Sequence, residues 1–366
     1  MIDANTRLIS TLEQLVAFDT RNPKGEELPM AEHLAKALAV LGAGRVEVIQ
    51  HAGHASTFAV FGDGAPTRIL NAHIDTVPDN SGYSGDPLKL TRSGSRLVGL
   101  GSADTKGAIA AILEAIARRR ENGAKPASTA ILFSGDEELG GQAIRHFLSS
   151  DRIRGLTHAI VCEPTGCRVG RRHRGLQAFR LRARSQGGHS SLAGQVKNPL
   201  TYLARVAVEL DALGMRNHDL GPEGLKGICL NIAGLDGGVA FNVIPSMSVL
   251  TVSVRPSPGV DREGLLREIR VLATQAAAPL TLEWEDVAYN PAFATRDLNA
   301  FGALLGSRID SPIDLPYGTE AGQFVETGID AVVYGPGRVE QAHAADEFVE
   351  LDELEEAVRV LGQALG

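Results

Sequence analysis

The chain has few cysteines for its length, and those it has form no recognisable pattern. Only Cys162, Cys167 and Cys229 occur among its 366 residues. An odd and sparse set argues against a disulfide framework and favours a reducing compartment. Cys162 and Cys167 also lack a second pair that would complete a zinc knuckle, so we expect both to be thiols in the core.

A long apolar run is also missing, as is any excess of basic residues. No stretch approaches the roughly 20 apolar residues that span a bilayer, and Asp3, Arg7 and Glu13 interrupt the region where a secretory signal would be uncharged. The net charge of −8 argues against a nucleic-acid partner, because binding to a polyanion needs clustered Lys and Arg. We therefore expect a cytoplasmic protein that binds neither membranes nor nucleic acids.

What is present is the composition of a globular protein with a sizeable core. Hydrophobic residues make up 43% of the chain and charged residues 22%. A chain of 366 residues exceeds what one hydrophobic core usually spans, so two domains are expected. Apolar spacing predicts helices near 6–17 and 30–41, followed by strands at 46–50, 57–61 and 67–72.

The third of these strands runs into His73 and Asp75, two residues apart. On a strand this spacing places both side chains on one face. A histidine that binds a metal through one ring nitrogen usually donates the proton of the other to a carboxylate, so the pair suggests a ligand and its partner. The alternative is a surface histidine beside an Asp that begins a turn closed by Pro78.

Asp104 lies in a glycine-rich segment that leads into an apolar helix at 108–117. Asp often fills the N-cap position of a helix, and this role alone explains the residue. A carboxylate at such a point also has two oxygens with which to bridge two cations. The two roles are compatible.

Asp136, Glu137 and Glu138 follow an apolar run at 128–134. Crowding three carboxylates is costly unless a positive charge lies nearby, because like charges repel and burial penalises each of them. If the backbone is extended there, Glu137 and Glu138 point in opposite directions, so that one binds a metal and the other faces water. A solvated acidic turn that caps a helix at 142–148 explains the same residues.

Glu163 ends another apolar run, at 157–162, and Pro164 prevents that strand from continuing. The carboxyl ends of parallel strands are where α/β sheets bind their ligands. We therefore expect one sheet edge to collect the side chains of His73, Glu137, Glu138 and Glu163, with Asp104 beside them.

The pattern changes near residue 175. Elements then follow in the order β-α-β-β-α-β, that of a ferredoxin-like unit with both helices on one face of its sheet. Apolar strands with glycine-rich ends return after residue 312, followed by His343, which taken alone is a loop histidine, and a C-terminal helix. The sequence thus predicts an α/β fold, with a mixed, mainly parallel sheet flanked by helices, in a catalytic domain formed by residues 1–174 and 289–366 and interrupted by a lid domain at 175–288.

Seven short motifs occur in order over nearly the whole chain: His73-x-Asp75-x-Val77-Pro78, Gly101-x-x-Asp104-x-Lys106-Gly107, Asp136-Glu137-Glu138, Glu163-Pro164-Thr165, Gly188-His189-Ser190-Ser191, Asn242-Val243-Ile244-Pro245 and Gln341-Ala342-His343. Together they resemble the co-catalytic zinc aminoacylase family. Its members include acetylornithine deacetylase, succinyl-diaminopimelate desuccinylase and carboxypeptidases that release glutamate. The resemblance implies a zinc exopeptidase-like catalytic domain with the ferredoxin-like lid inserted into it.

The resemblance also implies a centre with two divalent metal ions. One ion would be bound by His73, Asp104 and Glu163, and the other by Asp104, Glu138 and His343. Mixed imidazole and carboxylate ligands suit zinc, with cobalt or manganese as alternatives.

The remaining implied roles concern catalysis and substrate. Glu137 would be the general base and Asp75 the partner of His73. His189 would donate to the oxyanion from the lid domain, in several relatives from that of a dimer partner. The implied substrate contacts are Asn242, Arg255 and Glu320, the last of them to a basic side chain on the substrate.

These roles imply hydrolysis of the amide bond in a small N-acyl amino acid, with N-acetylornithine as the expected substrate. N-acetylcitrulline is an alternative, because Tyr83, Leu100 and Thr105 depart from the usual pattern much as in acetylcitrulline deacetylase. A desuccinylase, a dipeptidase or a carboxypeptidase are others. A non-catalytic protein that binds acyl-amino acids is an alternative from a different class, although it would not need a base such as Glu137. A free edge strand in the lid domain makes a homodimer the expected assembly.

Overall fold

The computed structural model describes residues 4–23, 25–80, 82–124 and 126–366. In chain order, its helices are α1 (Ala4–Val16), α2 (Glu27–Val40), α3 (Lys106–Glu121), α4 (Gln142–Leu148), α5 (Pro199–Arg216), α6 (Arg262–Ala277), α7 (Gly302–Leu305), α8 (Ala321–Glu326) and α9 (Leu351–Ala364). Its strands are β1 (Arg45–His51), β2 (His54–Phe61), β3 (Arg68–His73), β4 (Thr91–Ser93), β5 (Arg96–Val98), β6 (Thr129–Ser134), β7 (His158–Val161), β8 (Gly170–His173), β9 (Leu176–Arg184), β10 (Gly188–His189), β11 (Asn231–Gly237), β12 (Val243–Ile244), β13 (Met247–Val254), β14 (Leu282–Asn290), β15 (Phe293–Ala294), β16 (Ile313–Leu315), β17 (Asp330–Val333) and β18 (Phe348–Glu350). None of the helices in these described ranges combines the length and the apolar character needed to cross a membrane.

The chain forms two compact units. The first contains the described residues up to Arg172 together with Ala294–Leu315 and Thr319–Gly366, and the second contains His173–Phe293 and Pro316–Gly318. The lid domain predicted at 175–288 lies inside the second unit, but the prediction did not include Pro316–Gly318. The roles of the two units as catalytic domain and lid stay a prediction.

A mixed sheet forms the centre of the first unit, and its strand order runs β1-β2-β6-β3-β7-β17-β8. The central strands β6, β3, β7 and β17 are parallel to one another, whereas β1, β2 and β8 are antiparallel to their neighbours. Strand β6 is buried along its whole length, as expected for a parallel strand covered by helices. The predicted fold class, a mixed and mainly parallel sheet flanked by helices, is confirmed.

Helix α3 illustrates how the sequence builds this unit. Its residues from Lys106 to Ile116 are all buried, and Arg118, Arg119 and Arg120 occupy its last turn. Cations near a helix C-terminus interact favourably with the helix dipole. The helix starts one residue after Thr105, its N-cap, so Asp104 lies just outside it and does not cap it.

The second unit is a four-stranded antiparallel sheet packed against α5 and α6. The strand order is β11-β13-β9-β14, and alternate residues of β9, such as Phe179 and Leu181, share one apolar cluster with Leu210 of α5 and Ile269 of α6. One face of the sheet therefore carries both helices, which is the predicted ferredoxin-like arrangement. The continuous strand expected from Val243 is broken after β12 and resumes as β13.

Candidate metal centre

Three neighbouring parallel strands of the first unit end at the same edge of its sheet. β3 ends at His73, β6 ends just before the acidic segment from Asp136, and β7 ends two residues before Glu163. Because β3 pairs with both β6 and β7 in parallel, the segments that follow these strands lie side by side. Side chains that are far apart in the sequence are therefore neighbours in the fold.

Asp104 lies between two histidines. His73 Nε2 is 2.9 Å from Asp104 Oδ1, and His343 Nε2 is 3.2 Å from Asp104 Oδ2. Each oxygen of one carboxylate thus faces a different imidazole ring. This is the arrangement that a carboxylate needs if it is to contact two cations at once.

Each of these histidines also faces a glutamate. Glu138 Oε1 is 2.8 Å from His343 Nε2, and Glu163 Oε2 is 3.8 Å from His73 Nε2. His73, Asp104 and Glu138 offer ligand atoms that all lie within 4.8 Å of one another. Imidazole nitrogens and carboxylate oxygens at such spacings fit divalent transition metals, zinc among them.

The charges of the cluster support the same conclusion. Burial raises the pKa of Glu137 and of Glu163 well above the usual range, and neighbouring carboxylates add to both shifts. Burial opposes the ionisation of Asp104 too, but hydrogen bonds from His343 and His73 outweigh it and hold the pKa of Asp104 below its usual range. The same contacts raise the pKa of His343 to about 10. Several carboxylates thus share two imidazole rings, and added positive charge would stabilise all of them.

The loop after β3 fixes the orientation of His73. Its Nδ1 lies 2.9 Å from the backbone carbonyl of Asp75 and donates to it, which leaves Nε2 with a lone pair directed toward Asp104. The Asp75 carboxylate is farther from Nδ1, at 3.5 Å. The expected pairing of His73 with Asp75 is therefore made chiefly through the carbonyl of that residue.

The Asp75 carboxylate anchors the segment that carries the two glutamates. Its two oxygens accept the backbone N–H groups of Glu137 and Glu138, each at 3.1 Å, and Asn22 Nδ2 donates to it at 2.7 Å. Burial alone would raise the pKa of Asp75, but hydrogen bonds from His73, Asn22 and this backbone keep it below its usual range. Sequence reasoning missed Asn22, because a lone Asn before a proline carries no signal beyond that of a turn.

Both interpretations of the acidic segment apply to different residues in it. Asp136 Oδ2 accepts the backbone N–H groups of Gln142 and Ala143 in the first turn of α4, so Asp136 stabilises the start of that helix. Glu138 instead contacts His343. One carboxylate is structural, and the next but one belongs to the cluster.

Glu320 lies behind the cluster and is only 1% exposed. Its Oε2 accepts a hydrogen bond from Ser134 Oγ at 2.6 Å, and burial raises its pKa to about 7. The sequence prediction assigned this carboxylate to a basic side chain of the substrate. Its burial argues against direct contact with a ligand that enters from solvent.

The other predicted site residues lie in the second unit, and all three are exposed. His189 is on β10, which pairs with β12 beside Asn242, and the Asn242 carbonyl accepts the N–H of Ser190 at 3.0 Å. Arg255 follows the opposite end of β13, a strand of eight residues that spans about 23 Å at 3.3 Å per residue. Within this unit His189 and Asn242 are therefore neighbours, whereas Arg255 is remote from both.

The hydrogen bonds of His189 define its tautomer. Nδ1 accepts the backbone N–H of Ser191 at 3.2 Å and lies 2.8 Å from Ser191 Oγ. A ring nitrogen that accepts from an amide carries no proton itself, so in the neutral ring the proton is on Nε2. His189 thus presents an N–H donor at its exposed end.

Comparison with solved structures identifies the class of fold. An M20 family metallo-carboxypeptidase from Sulfolobus solfataricus superposes with a TM-score of 0.80 and 19% identity, over 98% of this chain and 98% of that chain. At this identity the likeness concerns the fold alone. The architecture is that of the M20 metallopeptidases.

Sequence comparison extends the likeness to closer relatives. N-acetyl-L-citrulline deacetylase from Xanthomonas campestris pv. campestris is 34% identical, over 100% of this chain and 99% of that protein. Acetylornithine deacetylase from Myxococcus xanthus is 30% identical, over 100% and 98% respectively. The model of the peptidase family M20/M25/M40 matches residues 69–366. The chain belongs to this family, which confirms the predicted resemblance and the predicted class, a hydrolase that acts on amide bonds.

Proposed function

We propose that this protein removes the acyl group from a small N-acyl amino acid by hydrolysis of its amide bond. The observation that carries the proposal is the Asp104 carboxylate placed between His73 and His343, with a glutamate beside each histidine. The two deacetylases that match over their full lengths support the substrate class. A cytoplasmic location, expected from the cysteines and the charged N-terminal region, belongs to the same proposal.

The cluster would hold two divalent ions, zinc by its donor chemistry, with cobalt or manganese as alternatives. His73, Asp104 and Glu163 would hold one ion, and Asp104, Glu138 and His343 the other. When bound, such ions polarise an amide carbonyl and lower the pKa of water toward neutrality. Their positions follow from the contacts that Asp104 makes on both of its oxygens.

Glu137 acts as the general base in this proposal. Its backbone is held by the Asp75 carboxylate, so its side chain starts from a fixed point at the sheet edge. Burial raises its pKa, and a carboxylate whose pKa lies nearer neutrality is a better proton acceptor than an ordinary glutamate. Glu137 takes a proton from the attacking water and returns it to the amine that leaves.

His189, Asn242 and Arg255 recognise the rest of the substrate. The Nε2–H of His189 donates to the oxyanion that develops on the amide oxygen, and the adjacent Asn242 offers a second donor. The guanidinium of Arg255 binds the substrate carboxylate, for which its planar fork is suited.

One copy of the second unit cannot bring all three of these groups to one small molecule, because β13 separates Arg255 from the other two by about 23 Å. We therefore propose a homodimer in which one chain supplies Arg255 and its partner supplies His189 and Asn242. Sedimentation at micromolar concentration should show a dimer.

A mixed dimer tests this arrangement directly. Glu137→Gln and His189→Ala chains, coexpressed with different tags and purified through both, would contain one site with an intact base and an intact histidine. We expect about half of the wild-type activity per dimer, because one of two equivalent sites is restored. Activity no greater than that of either parent variant would show that each site draws both residues from one chain.

The choice between the two substrates depends on one side-chain charge. Ornithine carries an ammonium group, whereas the ureido group of citrulline is neutral. Glu320, the residue expected to meet an ammonium, is buried, and this favours N-acetylcitrulline over N-acetylornithine.

A substrate panel tests the proposal as a whole. The metal-loaded protein is assayed for amine release from N-acetylcitrulline, N-acetylornithine, N-succinyl-diaminopimelate and a set of dipeptides. We expect N-acetylcitrulline to give the highest kcat/KM. Higher values with dipeptides would indicate a peptidase, and no amine release from any compound with metal bound would indicate a non-catalytic binding protein.

A further inference from the structure

A buried glutamate outside the predicted site grips the backbone that carries Asp104. Glu347 Oε2 accepts the N–H of Gly101 at 2.9 Å, and its Oε1 accepts those of Ala103 at 2.9 Å and Asp104 at 3.0 Å. The residue is 2% exposed. Sequence reasoning gave Glu347 no role.

The three N–H groups form a concave anion site. Backbone amides that converge in a turn with a left-handed residue bind anions well, because their dipoles point at one place. Gly101 supplies the left-handed residue, with φ of 76°, and a Cβ there would lie only 2.8 Å from Thr76 Cγ2. Here the bound anion is a carboxylate of the chain itself.

The same stretch of chain reaches Asp104 in two ways. His343 contacts the Asp104 side chain, and four residues later Glu347 binds the Asp104 backbone. The Glu347 carbonyl also accepts the N–H of Gly99 at 2.9 Å and Ser102 Oγ at 3.3 Å. Both the carboxylate of Asp104 and its main chain are therefore fixed by residues 343–347.

We propose that Glu347 is a positioning residue for the metal centre, holding the Gly101–Asp104 turn so that each Asp104 oxygen faces one histidine. This inference rests on the proposed function, since it assumes that Asp104 binds cations. Glu347 touches neither cation nor substrate and acts only through the backbone of Asp104. Removing its charge should therefore change how tightly metal binds, and not merely how stable the fold is.

The Glu347→Gln variant tests the proposal. The side-chain amide keeps the shape of glutamate but turns an N–H2 group toward amides that need an acceptor. We expect metal affinity, measured by competition with a chromophoric chelator, to fall 10–100-fold, which is the usual effect of losing a residue that orients a ligand. The visible absorption spectrum of the cobalt-loaded protein should change as well, because it reports ligand geometry.

The matched control is Glu350→Gln, three residues farther along, where the glutamate pairs with Arg96 at the surface. It should bind metal as the wild type does. Wild-type affinity and an unchanged cobalt spectrum in folded Glu347→Gln would overturn the role of Glu347. If that variant does not fold, Glu347→Asp, which shortens the side chain by one methylene, replaces it with the same criterion. A wild-type protein that binds no divalent metal would instead end the proposed function.

Discussion

Replacing Glu137 by glutamine is expected to lower kcat about 10²–10⁴-fold, which is the usual contribution of a positioned general base, while leaving metal content unchanged. Glutamine has nearly the same shape as glutamate but cannot accept the proton of water. The backbone N–H that Asp75 binds is still present, so the segment should keep its position. Steady-state kinetics on the substrate that the panel selects and metal analysis by mass spectrometry measure the two effects.

The metal content of this variant separates two roles for the residue. If Glu137 is a base and not a ligand, the loss appears in kcat with both ions retained. A loss of metal would show that Glu137 is a ligand, and a kcat within tenfold of the wild type would show that the base lies elsewhere. Glu13→Gln on the exposed face of α1 serves as a control and should leave both quantities unchanged.

The convergence of the cluster could be anticipated because it follows from local patterns. Each relevant strand is a short apolar run that ends in a carboxylate or a histidine, and parallel strands bring such ends to one edge. His73 and Glu163 needed only this argument. His343 lies in a loop with no periodic signal, and it was found through its resemblance to a family motif.

The supporting contacts could not be anticipated in this way. Asp75 and Glu347 act by accepting backbone N–H groups from distant segments, and nothing in the sequence marks which amides will point at a given carboxylate. The separation between Asn242 and Arg255 was also missed, because the sequence suggested one continuous strand without showing which end faces a substrate. Pattern reasoning therefore predicts the ligands well and the groups that hold them poorly.

These two carboxylates solve the same physical problem. A metal ligand must stay in place when cations are absent, although the crowded negative charges around it repel one another. The carboxylates of Asp75 and Glu347 are fixed by backbone amides, so each holds one wall of the site without adding a competing ligand. The donor set is in this sense organised before a metal binds.

Asp104 is the residue on which both ions depend, so its replacement should have the largest effect. Asp104→Ala removes the oxygen that faces His73 and the one that faces His343, and we expect neither ion to bind tightly. Activity should then fall at least as far as in Glu137→Gln, by more than about 10⁴-fold, because the polarised carbonyl and the activated water are lost together.

Asp104→Asn distinguishes a bridging ligand from an ordinary one. An amide offers a single carbonyl oxygen, which can face His73 or His343 but not both, so about one ion per chain should remain where the wild type binds two. Asp310→Asn, at an exposed position of the same unit, should retain the wild-type content. Metal content by mass spectrometry after dialysis against weak chelator gives the answer. Two tightly held ions in Asp104→Asn would mean that the carboxylate does not bridge, since the amide nitrogen that replaces one oxygen cannot bind a cation.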